Sequence, residues 1–268
     1  MSFDTFDGVN KIRLKDLHSF VGKVNHAAGL LVTIRPFLQA LWAALYESSN
    51  VTNNFVWKKC IQNSLIWLRA IFNEEAPIGL IRTFRLMEYL GNGDHIELGT
   101  DASPFGLGGW FAINGFIRKH WTSAISQYDV QLFKLQDGSC EGQQILECLA
   151  VLVSLRLFMP NCEKRVCLAP VVRGDNMTAL TMVLKMRPRT AELAIIAREM
   201  AVCLTRFSFL PSVYHTPGIS NVIPDLLSRI HDPSKPEAAR VMDHPALKKS
   251  TYVIAPVRSR DYYKVMID

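Results

Sequence analysis

The sequence of 268 residues lacks the features that mark several common classes of protein. It has no internal repeat and no low-complexity tract, which argues against solenoid and disordered proteins. The longest apolar run, "AAGLLVTI", is too short to span a bilayer. The N-terminal "MSFDTFDGVNKIRLKD" has early acidic residues and no apolar core, so it does not have the pattern of a signal peptide. We therefore expect an intracellular protein with no membrane partner.

The six cysteines lack the spacing of a zinc site. There is no CxxC motif and no close pairing of cysteine with histidine. Cys162 and Cys167 lie near each other, but nothing else completes a site around them. Cysteines without such a pattern are typical of reduced thiols in an intracellular protein.

Charged residues are few, and basic residues outnumber acidic ones. Lys and Arg total 30 against 24 Asp and Glu, which gives a formal net charge of +6. This excess favours a polyanionic partner such as nucleic acid, although many proteins of similar charge bind none. With 49% apolar and 20% charged residues, the chain is globular and long enough for one large domain or two modest ones.

The first third of the chain has helical periodicity, and we predict a mostly helical domain over residues 1–92. One apolar stripe with helical spacing consists of Leu14, Leu17, Val21, Val24 and Ala28. "IRPFLQALWAALYE" predicts a second helix, with Pro36 in its first turn. "NFVWKKCIQNSLIWLRAIFNE" predicts a third helix, and "LIRTFRLMEYL" a shorter one.

From His95 the pattern becomes that of an α/β domain, which we place over residues 93–232. Three strands, "HIELGTDAS", "LGGWFAI" and "FIRKHWTSA", come first, and Asn114–Gly115 is a strong hairpin signal. A loop is predicted over 124–140, and then "GQQILECLAVLVSLRLFM" forms a helix that ends at Pro160. The strand "KRVCLAPVVRGD", two helices ("NMTALTMVLKM" and "TAELAIIAREMAVCLTRF"), the strand "SFLPSVYH" and the helix "SNVIPDLLSRI" follow. Ser220 or Asn221 is a plausible cap for that last helix. Residues 233–268 show no clear period and are predicted to be a C-terminal tail.

Four acidic residues occupy informative positions in this second region. Asp101 ends the first strand, Asp175 follows the fourth, Glu147 lies among apolar residues of the long helix, and Asp225 lies in the last helix. Strand ends are where α/β sheets bind ligands, so Asp101 and Asp175 can share a cleft. Converging carboxylates repel unless a divalent cation compensates them, and oxygen-only ligands favour Mg²⁺ or Mn²⁺. The alternative for each acid is a surface or capping role; Asp175–Asn176 could simply cap the next helix.

Four motifs over residues 96–230 resemble the ribonuclease H domain of retroelement reverse transcriptases, most closely DIRS-type and related retrotransposons. They are "TDAS-FGLGGWF", "ILECLAVLVSLRLF", "VVRGDN-TAL" and "HTPGISNVIPDLLSR", in the order of the family. The resemblance implies a mixed five-stranded sheet with flanking helices, and two Mg²⁺ ions (Mn²⁺ being possible) held by the four acids above. It also implies that His215 is a mobile histidine that helps product release. Glu141 is a rival for the helix acid, but the "E-x-L-A-V" match favours Glu147. Glycines at 106, 108 and 109 allow close backbone packing or approach of a nucleic acid strand, and plain turn chemistry is the alternative, sufficient for Gly106.

The N-terminal helices resemble the thumb-to-connection segment of a reverse transcriptase. There is no Y-x-D-D box, fingers or palm, so no polymerase activity is expected from this chain alone, and the missing polymerase domains or another subunit are possible partners. Four basic residues could follow a phosphate backbone, although a solvated helix face explains them equally well: Lys11, Arg13, Lys15 and Lys23.

The expected function is metal-dependent hydrolysis of the RNA strand of RNA–DNA hybrids. The alternative is a non-catalytic, domesticated retroelement module that binds nucleic acid or a protein partner. A related nuclease, such as a transposase or resolvase, is a third interpretation, and the "PGISN-IPDLLSR" ending disfavours it.

Overall fold

The structure is a computed structural model, and it describes residues 8–73, 92–136, 138–162, 170–206 and 211–263, together with Phe6, Leu86 and Leu90. The predicted helix "LIRTFRLMEYL" lies outside the described residues except for Leu86 and Leu90. The first parts of the two predicted strands "KRVCLAPVVRGD" and "SFLPSVYH" also lie outside them.

The described N-terminal part consists of helices around a small antiparallel sheet. Its elements are β1 (Lys11–Arg13), α1 (Leu14–Leu30), α2 (Arg35–Tyr46), α3 (Ser48–Asn53), β2 (Phe55–Trp57) and α4 (Gln62–Phe72). The predicted stripe of α1 is confirmed from Leu17 to Ala28, which are buried, whereas Leu14 is half-buried. Pro36 lies in the first turn of α2, as predicted. The third helix was predicted to start too early, because Phe55–Trp57 pair with β1 instead of continuing the helical pattern.

A mixed six-stranded sheet forms the second part of the chain. Its strands are β3 (Ile96–Ala102), β4 (Gly106–Ile113), β5 (Phe116–Ala124), β6 (Val171–Gly174), β7 (Ser212–His215) and β8 (Thr251–Tyr252), in the order β7-β6-β3-β4-β5-β8. The β3–β4 and β4–β5 pairs are antiparallel, and the other three pairs are parallel. The predicted hairpin is confirmed, since Asn114 and Gly115 both have positive φ. The predicted number of five strands is wrong, because β8 pairs with Lys119–His120 of β5.

Helices flank this sheet, and α6 is the central one. They are α5 (Gln127–Phe133), α6 (Gln143–Cys162), α7 (Met177–Lys185), α8 (Ala191–Arg206) and α9 (Val222–Ser228). The predicted loop at 124–140 contains α5, which starts with a capping box between Ser126 and Asp129. Pro160 does not end α6, which continues to Cys162. Within the described residues, α6 is the one helix long and apolar enough to cross a membrane, but 67% of its apolar window is buried inside the protein.

The C-terminal segment, for which the sequence predicts no regular structure, packs back onto the sheet domain. Arg258 Nε donates a hydrogen bond to Asp129 Oδ2 over 2.7 Å, and the Tyr263 hydroxyl donates to the other oxygen of the same carboxylate. Asp129 is fully buried and Arg258 is 3% exposed. A buried charge needs a partner of this kind, so the segment completes the environment of α5.

Candidate metal centre

Asp101 lies in β3 beneath α9, and glycines of β4 make room for that helix. Asp101 is paired with Gly108, where an added Cβ would lie 2.5 Å from the Cβ of Leu227. Such a distance is far below van der Waals contact, so only glycine lets α9 lie directly on the strand. Thr122 Oγ1 also donates to the Leu227 carbonyl over 2.7 Å, which fixes the end of the helix on the sheet. Close packing of backbone, one of the roles predicted for these glycines, is thus confirmed at Gly108.

This packing gives Asp101 two hydrogen-bond donors from α9 and the residue before it. Ser228 Oγ donates to Asp101 Oδ2 over 2.8 Å, and Asn221 Nδ2 donates to Oδ1 over 3.2 Å. Asn221 directly precedes α9, but its side chain does not cap the helix. Asn221 therefore occupies the predicted N-cap position, but its side chain holds the Asp101 carboxylate instead of capping the helix.

Glu147 reaches the same place from α6. Its side chain is almost fully buried, as the apolar neighbours in the sequence predicted. Gln143, one helical turn earlier, donates from Nε2 to Glu147 Oε1 over 3.0 Å and to the Ala102 carbonyl over 2.6 Å. Gln143 thus links the Glu147 carboxylate to the end of β3, next to Asp101.

Asp175 follows β6, and its side chain does not cap α7, which was the alternative role for it. Asn176 caps α7 instead, since its Oδ1 accepts hydrogen bonds from the amides of Thr178 and Ala179, both over 3.0 Å. Asp101, Glu147 and Asp175 each offer one carboxylate oxygen, and these three oxygens lie within 4.8 Å of one another. This cluster could hold a metal ion, and its oxygen-only donors suit a hard divalent cation.

The electrostatics of the cluster are those expected of crowded, buried carboxylates whose charge Arg229 offsets only in part. Burial, together with the charges of Asp175 and Asp225, raises the pKa of Asp101 to about 7, although the hydrogen bond from Ser228 and the charge of Arg229 both lower it. Burial and the charge of Asp101 raise the pKa of Glu147 to about 9. A cation among these oxygens would reverse both effects, because it favours the ionised carboxylates. The residues present therefore fit a divalent metal ion.

Asp225, the fourth predicted ligand, does not join the three-residue cluster. Its Oδ1 accepts a hydrogen bond from Arg229 Nε over 2.6 Å, one turn later on α9. Its charge nevertheless raises the pKa of Asp101, so the Asp225 carboxylate lies near the cluster.

The remaining candidates lie at the rim of the cluster or outside it. His215 is exposed at the end of β7, and its backbone pairs with Gly174, the residue before Asp175. Glu141 is exposed and precedes α6, so it is Glu147 that supplies the helix acid of the cluster.

Sequence reasoning did not identify the residues that orient the carboxylates, namely Gln143, Asn221 and Ser228. A signal exists for Gln143, which lies four residues before Glu147 and hence on the same helix face. Asn221 and Ser228 are 120 and 127 residues from Asp101 along the chain, and only the packing of α9 reveals their role.

No protein-family model, curated protein or solved structure matches this chain. Its function is therefore inferred from the sequence motifs and the geometry of the carboxylate cluster.

Proposed function

We propose that the protein is a metal-dependent nuclease that hydrolyses the RNA strand of RNA–DNA hybrids through a ribonuclease H-like domain over residues 93–232. The observation that carries the proposal is the meeting of Asp101, Glu147 and Asp175, from three separate elements, within 4.8 Å. Each lies in a motif that resembles the ribonuclease H domain of retroelement reverse transcriptases. A mixed sheet with flanking helices is compatible with that resemblance.

The three clustered carboxylates would hold Mg²⁺, or Mn²⁺, and Asp225 would join them by exchanging its bond to Arg229 for the metal. A pair of such ions activates a water molecule and stabilises the leaving oxygen of a phosphodiester. Ser228 and Asn221 hold the Asp101 carboxylate in one orientation, as residues around metal ligands commonly do. We assign to His215, which is exposed and pairs through its backbone with Gly174, the role of assisting departure of the product.

The rest of the molecule is consistent with a nucleic-acid substrate and with an origin in a reverse transcriptase. The net charge of +6 favours a polyanion, and the helical N-terminal part is proposed to be a thumb- or connection-like domain. Under this proposal the protein is intracellular, and its protein partners are the missing polymerase domains or another subunit. Recognition of the hybrid would depend on duplex shape and 2′-hydroxyl contacts more than on base sequence.

The test is cleavage of a hybrid labelled on its RNA strand, with Mg²⁺ and with EDTA. Wild-type chain should cleave only with the metal, and Asp101→Asn should lose cleavage by several orders of magnitude while still binding hybrid. Glu141→Gln is the matched control: it removes an exposed acid six residues before Glu147 and should leave cleavage unchanged.

Equal cleavage by wild type and Asp101→Asn would refute the mechanism. A wild-type chain that binds hybrid but never cleaves it, with Mg²⁺ or Mn²⁺, would instead favour the non-catalytic nucleic-acid-binding module.

A further inference from the structure

A basic cavity lies between the N-terminal helices and the sheet domain, apart from the carboxylate cluster. Its volume is about 300 Å³. The last turn of α1, the start of α2 and the connection between α7 and α8 form its wall, lined by Asn25, His26, Ala28, Gly29, Arg35 and Arg187. Two arginines line it, and none of its described lining residues is acidic.

Two hydrogen bonds hold Arg35 in this wall. Its Nε donates to the Ala28 carbonyl over 2.9 Å, and its Nη1 donates to the Lys185 carbonyl over 3.0 Å. The guanidinium group thus bridges the C-terminal ends of α1 and α7, whose carbonyls favour a cation. Both acceptors are neutral carbonyls, so neither supplies a full negative charge to balance Arg35.

Arg187 adds a second positive charge to the same cavity. Burial lowers the pKa of Arg35, and the charge of Arg187 lowers it further, which shows that the two guanidinium groups are close enough to repel. The role of Arg35 at the helix ends does not account for Arg187, which is exposed in the connection after α7. Placing two like charges around one cavity is unfavourable unless an anion joins them.

We propose that this cavity binds a phosphate group, supplied by the backbone of the bound nucleic acid. Guanidinium groups match phosphate oxygens in charge and geometry, and Asn25 and His26 offer further hydrogen-bonding groups. The proposal rests on the proposed function for the source of the phosphate.

The position of α7 relates this site to the carboxylate cluster. The helix begins two residues after Asp175, and Arg187 follows its end by two residues. Nine helical residues span about 14 Å. Successive phosphates of one strand lie about 3.4 Å apart along a duplex axis, so the two sites are separated by the length of a few nucleotides. One strand could therefore contact both sites.

The test compares two arginines of the same connection. Arg187→Ala removes the charge that lines the cavity, whereas Arg189→Ala removes an exposed charge that does not line it. Binding of a labelled RNA–DNA hybrid is measured in EDTA over a series of salt concentrations, so that cleavage does not affect the result. Arg187→Ala should weaken binding about tenfold and reduce the slope of log K against log[salt] by about 0.9. Arg189→Ala should change each quantity by less than half as much, and Arg187→Lys should restore the slope but only part of the affinity.

Equal effects of Arg187→Ala and Arg189→Ala would overturn the proposal, since the cavity would then contribute nothing specific.

Inorganic phosphate provides a second measurement through the melting temperature. If phosphate stabilises the wild type through Arg187, and Arg187→Ala leaves hybrid affinity unchanged, the site takes free phosphate and the nucleic-acid source is wrong. If the wild type cleaves hybrid but Arg187→Ala binds it normally, the phosphate site is wrong and the proposed function stands. If wild type does not bind hybrid at all, the inference and the proposed function both fail.

Discussion

Asp101→Asn should make the stability of the metal-free protein less dependent on pH. The folded protein raises the pKa of Asp101 from 3.8 to about 7, chiefly by burial, so the folded state binds a proton that the unfolded state releases. The stabilisation that this proton gives the folded state is fully present below pH 4, and it is lost as the pH rises towards and through 7. The full difference corresponds to about 4 kcal/mol, at about 1.4 kcal/mol per pKa unit.

A rise in pH from 5 to 8 should lower the free energy of unfolding by about 2–3 kcal/mol through the ionisation of Asp101 alone. Glu147 acts in the same direction, because its pKa of about 9 also exceeds its ordinary value. For a chain of this size, 2–3 kcal/mol corresponds to a fall in melting temperature of about 4–5 °C. Asparagine at position 101 removes the ionisable group, and it also removes a charge that raises the pKa of Glu147.

Thermal melts in EDTA at pH 5, 6, 7 and 8 measure this effect, with Glu141→Gln as the surface control. Added Mg²⁺ should raise the melting temperature of the wild type most at pH 8, where the carboxylates ionise readily, and should have little effect on Asp101→Asn. A wild-type melting temperature that stays constant from pH 5 to 8 would refute the assignment of a crowded, buried cluster of carboxylates. A profile of Asp101→Asn that is as steep as that of the wild type would refute the role of Asp101 in it.

Three further predictions follow from contacts described above. Gly108→Ala should lower the free energy of unfolding by about 1–3 kcal/mol in urea, since the new methyl group would overlap Leu227. Gly22→Ala, on the exposed face of α1, should be neutral or stabilising. Arg258→Ala should cost about 3–5 kcal/mol by leaving Asp129 buried without its ion pair, seen as a lower urea midpoint; a change below 1 kcal/mol would contradict this. His215→Ala should slow multiple-turnover cleavage of hybrid while single-turnover cleavage stays near the wild-type rate, and an equal loss in both would assign His215 to the chemical step.

The elements that the sequence predicts well are those with a strong local pattern. The three strands β3, β4 and β5 are flanked by turn residues, and Asn114–Gly115 dictates the hairpin between two of them. Helix α5 was missed because its seven residues are too few for a clear period, although the Ser126–Asp129 capping box is visible in the sequence. Strand β8 has two residues, and only its pairing with β5 defines it.

The same distinction applies to the candidate site. Asp101, Glu147 and Asp175 were identifiable because each lies at a strand end or among apolar residues, within motifs that resemble a known family. Their convergence agrees with the prediction, but the position of Asp225 depends on its ion pair with Arg229, a local contact that was not considered. The hydrogen bonds that orient Asp101 come from residues far along the chain, and no local pattern encodes them.

The buried group formed by Asp129, Arg258 and Tyr263 has a consequence for the order of folding during synthesis. Asp129 and Arg258 are separated by 129 residues, and Tyr263 lies still further along the chain. Until those two side chains leave the ribosome, a nascent chain that buries Asp129 leaves the charged carboxylate without its ion-pair partner. The α5 region should therefore stay open while the strands and helices between it and Arg258 form, and it should close only once Arg258 and Tyr263 have emerged. Such long-range closure is slow compared with the formation of local contacts, so the closing of α5 is a late step in the folding of this domain.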